Sequence, residues 1–285
     1  MAHPPTGTQA QSTSDTPAPP PPQAITDRVR IMLAIADQAR GITLPLFTSP
    51  DQGVETKRDG TPVTEADRAC EDLIRTRLGE AFPNDAVLGE ERDNTTGSSG
   101  FRWLIDPIDG TFSFTRGVPL WSTLIALEHE SRPGWACAGL IDLPALGERV
   151  HASLGSGAWH TTGDAEPRPA RVSSIDDPKT ACVCITSTDV FASDRERAAF
   201  DRVQAMTGHT RGWSDAYAPF LVATGRAEAA LDAGVEPYDI APWTIIAAEA
   251  GGTMTDWQGQ RRFDSGNALM TNGVLHDALL GTLGG

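Results

Sequence analysis

Trp103-Leu104-Ile105 runs directly into Asp106-Pro107-Ile108-Asp109-Gly110-Thr111, and this junction restricts the chain more than any other segment. The uninterrupted apolar triplet reads as a buried strand. Ending it on two aspartates three residues apart places two carboxylates at the rim of a core, where unpaired charge is costly. Two solutions exist. The carboxylates cap a turn by accepting nearby backbone N–H groups, or a cation sits between them. Gly110 lets the backbone turn tightly, and Thr111 brings a hydroxyl within reach of the pair. The segment alone does not choose.

Charge leans toward the cation. With 38 Asp and Glu against 23 Lys and Arg, the 285-residue chain carries a net charge of −15, which makes nucleic acid and anionic membrane surfaces poor partners. An acidic protein that handles an anionic ligand needs local positive charge, and bound metal ions supply it. No apolar run reaches the roughly 18 residues of a membrane span. The N-terminus lacks the basic and apolar blocks of a secretory leader, so the expected location is the cytoplasm. The four cysteines, Cys70, Cys137, Cys182 and Cys184, match no zinc spacing. Cys182 and Cys184 fall on one face of a strand, and all four read as reduced core residues.

Residues 1–23 are rich in Pro, Thr, Ser and Gln and read as a disordered tail. From Ala24, Ile25, Val29, Met32, Ile35 and Ala39 recur at helical spacing. A second helix follows Thr64, an N-cap with Asp67 three residues on, close to a capping box. Short apolar runs then read as strands at 86–88, 103–105, 122–127, 135–141 and 149–152. A polar, Gly/Pro-rich stretch near 155–169 marks a subdomain boundary, giving an N-terminal metal-site unit (24–155) and a C-terminal substrate unit (156–285). Beyond it, strand-like Ala181–Ser187 alternates with helix-like segments at 194–206, 216–224 and 240–250, the last closed by Gly251-Gly252. Mixed elements in both halves make the chain α+β or α/β.

Three further acidic features matter. Glu90 and Glu91 follow a strand-like run. Asp67 sits in the first turn of its helix, and Asp239 opens an apolar helix. Taken singly, each has a structural reading as a cap or as a charge favoured by the helix dipole. Taken together, hard oxygen donors without neighbouring His or Cys suit magnesium or manganese, and point to divalent-metal phosphotransfer or hydrolysis.

From about Ile25 to the C-terminus the sequence resembles the inositol monophosphatase superfamily of magnesium-dependent, lithium-sensitive phosphatases. The resemblance rests on Trp103, Asp106, Pro107, Asp109, Gly110, Thr111 and Phe114; on Gly89-Glu90-Glu91; on Thr64 with Asp67; and on Tyr238, Asp239 and Ala241 followed by Glu249 to Gly252. It implies a layered α-β-α-β-α fold and a homodimer. It also implies Mg2+ as cofactor, roughly two or three ions per site, with Mn2+ as a substitute. By motif, Glu90, Asp106, Asp109 and Asp239 correspond to metal-ligand carboxylates, and Ile108 to a ligand through its carbonyl. Thr111 and Asp67 correspond to the pair that orients and deprotonates the attacking water, with Glu90 also in the catalytic set. Gly110 and Thr111 correspond to residues offering N–H groups to the phosphate, and Glu91 to a residue that orients a ligand.

Within the superfamily, Asp215, Tyr217, Ala218 and Glu236 to Asp239, with Ser113, resemble the histidinol-phosphatase branch. The resemblance implies L-histidinol phosphate as the small phosphate-ester substrate, with inositol 1-phosphate or another sugar phosphate as the alternative. A non-catalytic metal-binding module is the reading from another class. Histidinol phosphate carries an ammonium and an imidazole, so Asp215 and Asp232 are candidates to bind those donors, unless Asp215 merely caps the next helix. Trp213 is a candidate to flank the imidazole. Pro219 is expected to kink the helix after Asp215, and Pro242 to fall in a first turn.

Overall fold

The computed structural model describes residues 17–57, 60–213 and 215–284. Of the predicted tail, residues 1–16 lie outside the described residues, and Pro22 and Gln23 already belong to the first helix. In chain order the elements are α1 (Pro22–Phe47), β1 (Glu55–Thr56), β2 (Pro62–Val63), α2 (Glu65–Ala81), β3 (Ala86–Gly89), β4 (Phe101–Asp109) and α3 (Thr111–Thr115). Then come β5 (Ser122–His129), β6 (Ala136–Leu143), β7 (Glu148–Ser153), β8 (Ala158–Thr162) and β9 (Arg168–Pro169). The chain continues with β10 (Cys182–Ile185), α4 (Asp194–Met206), β11 (His209–Gly212), α5 (Tyr217–Ala223) and β12 (Ala229–Ala233). It ends with α6 (Pro237–Ala250), β13 (Thr253–Thr255), β14 (Asn267–Thr271) and α7 (His276–Leu283).

Among the described residues, β3 to β9 form one sheet in sequence order, and β11-β10-β12-β14-β13 form a second. Side-chain alternation along β4 sorts the core into layers. Trp103 and Ile105 face α1 and α2 together with Ile125, Leu127 and Leu140. Leu104 faces the opposite way with Leu124, Ile141 and Val150, against Phe220 of α5, Ile245 and Ile246 of α6, and Cys184, Ala230 and Met270 of the second sheet. The far side of that sheet, Val183, Ile185, Leu231 and Leu269, packs on Phe200 of α4 and Leu279 of α7. The order is helices, sheet, helices, sheet, helices, the layered fold expected. Trp103-Leu104-Ile105 of β4 is an uninterrupted apolar run because both faces of the strand are covered. All four cysteines are free thiols.

Sheet membership runs past the boundary drawn at 155/156: β8 and β9 continue the first sheet, and the second begins at Cys182. The two prolines behave opposite to expectation. α5 begins at Tyr217, so Pro219 is its third residue, in a first turn whose N–H groups have no helical acceptor anyway, and no kink is required. α6 begins at Pro237, because the Glu236 N–H bonds Asp239 Oδ2 at 2.8 Å and starts the helix early; Pro242 therefore lies inside it.

Two contacts fix α6 against the first sheet. A Cβ on Gly139 of β6 would stand 2.9 Å from Pro242 Cα and 3.0 Å from its carbonyl oxygen, so only glycine permits this approach. At the other end, Glu249 accepts the N–H groups of Gly155 and Gly157 in the β7–β8 turn, both at 2.8 Å.

Candidate active site

The acidic residues converge where strands end. β3 and β4 are parallel, and their carboxyl ends deliver Glu90 and the Asp106–Asp109 segment to one place. β10 is parallel to both β11 and β12, and the same end of that sheet presents Thr186, Asp215 and Asp232. Clefts beyond the carboxyl ends of parallel strands are the usual ligand sites of open α/β sheets.

A bulge aligns the opening pair of aspartates. In a regular strand, residues three apart point to opposite faces. Here Asp106 pairs with Leu124 and Asp109 with Ser122, three steps on β4 against two on β5. The extra residue returns Asp109 to the side of Asp106. Carboxylate oxygens of Asp106, Asp109 and Asp239 then all lie within 4.8 Å of one another. Each also caps: Ile108 N–H bonds Asp106 Oδ1 at 3.0 Å, and Asp109 Oδ2 accepts Ser122 Oγ and Ala216 N–H at 2.8 Å each. Capping does not preclude a cation between these residues, because each carboxylate has two oxygens.

The electrostatics of the cluster are unfavourable without a cation. Burial, then the charges of Glu90, Asp109 and Asp239, push the Asp106 carboxyl well above its ordinary range. Burial, then Asp215 and Asp239, do the same to Asp109. Asp239 is raised to about 8, chiefly by burial, despite the Glu236 N–H. Oxygen-only donors so placed fit a hard divalent cation.

Glu90 lies on the cleft wall beside this trio, but its Oε1 binds Lys57 Nζ at 2.6 Å. Lys57 also pairs with Glu91 at 2.5 Å. Burial works against the ammonium, but the two glutamates outweigh it and raise its pKa. Lys57 escaped the sequence reading; its signal was a lone lysine before an acidic motif, which has no distinctive spacing. Glu91 sits with its N–H on Glu71 Oε2 at 2.7 Å, and burial raises its carboxyl to about 7.

Asp67 and Thr111 lie within hydrogen-bond distance of each other. Thr64 offers Asp67 Oδ2 both its N–H (2.7 Å) and its hydroxyl (2.6 Å). Oδ1 is left for the Thr111 hydroxyl at 3.3 Å, which also reaches Ile108 O at 3.0 Å. Burial raises the Asp67 carboxyl to about 6. Thr111 starts α3, which Phe114 anchors between Phe47 and Trp121 at centroid distances of 5.4 and 4.9 Å. Gly110 precedes it at φ 84°, and a Cβ there would stand 2.7 Å from Asp215 Oδ2.

Glu90, Asp106, Ile108, Asp109, Gly110, Thr111, Asp215 and Asp239 line one cleft. A second cavity adjoins it, lined by Asp109, Asp215 and Asp239 again and by Thr186, Asp232 and Trp243. Thr186 ties this cavity together: its hydroxyl donates to Asp232 Oδ2 and accepts the Asp215 N–H at 3.1 Å. Burial pushes Asp232 up to about 7. Asp215 is not a side-chain cap of α5; the N-cap is Ala216, and Asp215 adopts φ 36°. Trp213, 37 % exposed, lines neither cavity. Thr186 and Trp243 were missed by sequence reasoning, although a polar residue just past the strand-like Cys182–Ile185 is a usable signal.

A profile of the inositol monophosphatase family matches residues 28–283. The histidinol-phosphatase of Chlorobaculum parvum is 39% identical over 261 residues, covering 91% of this chain and 98% of that protein. The histidinol-phosphatase of Mycobacterium tuberculosis is 38% identical over 254 residues, 89% of this chain and 96% of that protein. Among solved structures, an inositol monophosphatase from Zymomonas mobilis superposes with a TM-score of 0.79 at 28% identity, over 92% of this chain and 99% of that one.

Proposed function

This chain belongs to the inositol monophosphatase family and is a phosphoric monoester hydrolase, and on that premise we propose that it hydrolyses L-histidinol phosphate to L-histidinol and phosphate in histidine biosynthesis, with Mg2+ as its cofactor. The observation that carries the reading is the pair of joined cavities. One gathers the carboxylates of a cation site; the other is lined by Asp215 and Asp232, acceptors suited to an ammonium and an imidazole. The two histidinol-phosphatases similar to this chain support the same choice.

Glu90, Asp106, Asp109 and Asp239, with the Ile108 carbonyl, would hold the ions. Bound Mg2+ would supply positive charge to the phosphate oxygens and make a bound water more acidic. The protein's own groups do the rest. Thr111 has one hydroxyl proton and two acceptors in reach, Ile108 O and Asp67 Oδ1. With the carbonyl occupied, the hydroxyl donates to Asp67 and turns a lone pair toward the attacking water, so the water's proton has a path to a carboxylate. Thr64 keeps Asp67 oriented for that task. The N–H groups of Gly110 and Thr111 bind the phosphate. Water oxygen bonds to phosphorus as the phosphorus–alcohol oxygen bond breaks; one proton of that water passes by way of Thr111 to Asp67, the departing alcohol oxygen takes a proton from solvent water, and no phosphoenzyme forms. Cytoplasmic location and a homodimeric assembly complete the proposal.

Phosphate release should be measured with Mg2+ on histidinol phosphate, inositol 1-phosphate, fructose 1,6-bisphosphate and 3′-phosphoadenosine 5′-phosphate. The highest kcat/KM on histidinol phosphate is expected. A preference for inositol 1-phosphate, the second reading favoured by the Zymomonas mobilis superposition, would replace it.

A further inference from the structure

A single hydroxyl joins Asp215 to Asp232. Thr186 follows the last residue of β10 and lines the second cavity. Its hydroxyl donates to Asp232 Oδ2 on β12 and accepts the N–H of Asp215, which lies between β11 and α5. A hydroxyl has one proton to give and lone pairs to accept with, so one group fills both roles at once. Asp215 needs the restraint. Among the described residues it is the one non-glycine with positive φ, at 36°, a backbone conformation that persists where its neighbours impose it. Thr186 holds its N–H, and the following N–H, of Ala216, goes to Asp109 Oδ2 at 2.8 Å.

So held, the Asp215 carboxylate stands against Gly110, where a Cβ would lie 2.7 Å from its Oδ2. Asp215 lines both cavities, and Asp232 lines the second alone. Histidinol phosphate has its two donors in the same order. The ammonium is on the second carbon from the ester oxygen, and the imidazole lies one methylene beyond that carbon. Asp215, beside the glycine assigned to the phosphate, is in place for the ammonium, and Asp232 for the ring. Resting on the histidinol-phosphate reading above, we propose that Thr186 is a positioning residue that fixes the separation of Asp215 and Asp232, and with it the ammonium-to-ring distance the site accepts. Without the hydroxyl, the Asp215 N–H and Asp232 Oδ2 both lose this partner. Asp232 is left with the longer bond from the Ala233 N–H to Oδ1, 3.3 Å, and no bond ties it to Asp215.

The test uses the full chain with Mg2+ and three esters: histidinol phosphate, its homologue with one more methylene before the ring, and p-nitrophenyl phosphate, which lacks both donors. Wild type should favour histidinol phosphate over the homologue by about tenfold or more in kcat/KM, the discrimination one methylene permits. Thr186→Val keeps the shape of the side chain and removes the hydroxyl. It should cost about tenfold on histidinol phosphate, through KM more than kcat, and narrow the preference to about threefold. Thr186→Ser should restore both, and p-nitrophenyl phosphate should lose far less. An equal loss on all three esters would assign Thr186 to the scaffold and overturn the inference. So would Thr186→Val enzyme that keeps the wild-type preference. Wild-type enzyme that treats the two homologues alike overturns it as well, a result that needs no variant and stands even if Thr186→Val fails to fold. No hydrolysis of histidinol phosphate by wild type, with turnover of inositol 1-phosphate, would overturn the substrate reading itself and this inference with it.

Discussion

The Thr111 hydroxyl lies 3.3 Å from Asp67 Oδ1, while the other oxygen of that carboxylate is held twice by Thr64. The helix-capping carboxylate thereby keeps one oxygen turned toward Thr111, which lines the cleft. Thr111→Ala should lower kcat by about two to four orders of magnitude, the usual range for a positioned acid–base group, and Thr111→Ser should recover most of it. Steady-state kinetics on both variants decide this. Equal activity in Ala and Ser variants would remove Thr111 from the proton path.

On the proposed function, Asp106→Asn and Asp109→Asn should each reduce turnover by several orders of magnitude, since each removes a charge from the proposed cation site. In chelator the same variants should melt at or above the wild-type temperature, because each removes one of a set of buried, mutually repelling carboxyls. Near-wild-type turnover in either would reduce the pair to turn caps.

Asp67, Asp232 and Asp239 are raised to about 6, 7 and 8. Their folded values exceed the unfolded ones, so the folded state binds more protons and loses stability as pH rises through that window. In chelator, the melting temperature should fall between about pH 6 and pH 8.5, and the fall should be smaller for Asp239→Asn. Excess Mg2+ should flatten it. A melting temperature that rises across this range in chelator would contradict the buried-carboxyl account.

Gly139→Ala tests how α6 carries Asp239. A methyl group there meets the Pro242 backbone at 2.9 Å, so helix and sheet must separate, at a cost of about 1–3 kcal/mol for overpacking. The shift should also raise the Mg2+ concentration needed for half-maximal activity. A stable variant with unchanged metal dependence would show that α6 accommodates the methyl without moving Asp239.

Asp215→Asn and Asp232→Asn separate recognition from catalysis. Losing a charge-assisted contact of roughly 1.5–3 kcal/mol corresponds to about a ten- to hundredfold drop in kcat/KM on histidinol phosphate. p-Nitrophenyl phosphate, which lacks an ammonium and an imidazole, should be affected much less. Equal losses on both substrates would place these aspartates in the catalytic scaffold.

What could be read from the sequence was whatever a few neighbouring residues decide. Trp103-Leu104-Ile105 announces a doubly covered strand because burial on both faces removes the polar alternation. Thr64 and Asp67 announce a helix start because a cap closes within one turn. Asp106, Asp109 and Asp239 could be named because short motifs hold them. Tertiary structure decided the rest. Ala229–Ala233 has the composition of a helix, yet becomes a central strand because β10 and β14 bond to both of its edges. The Asp109 carboxylate bonds the Ala216 N–H across 107 positions, and Thr186, Asp232 and Trp243 share a cavity only because strand order brings β10, β12 and α6 together. Local propensity extends over one turn or one strand; which faces and strand ends meet is set by packing between distant segments, and the second cavity exists only there.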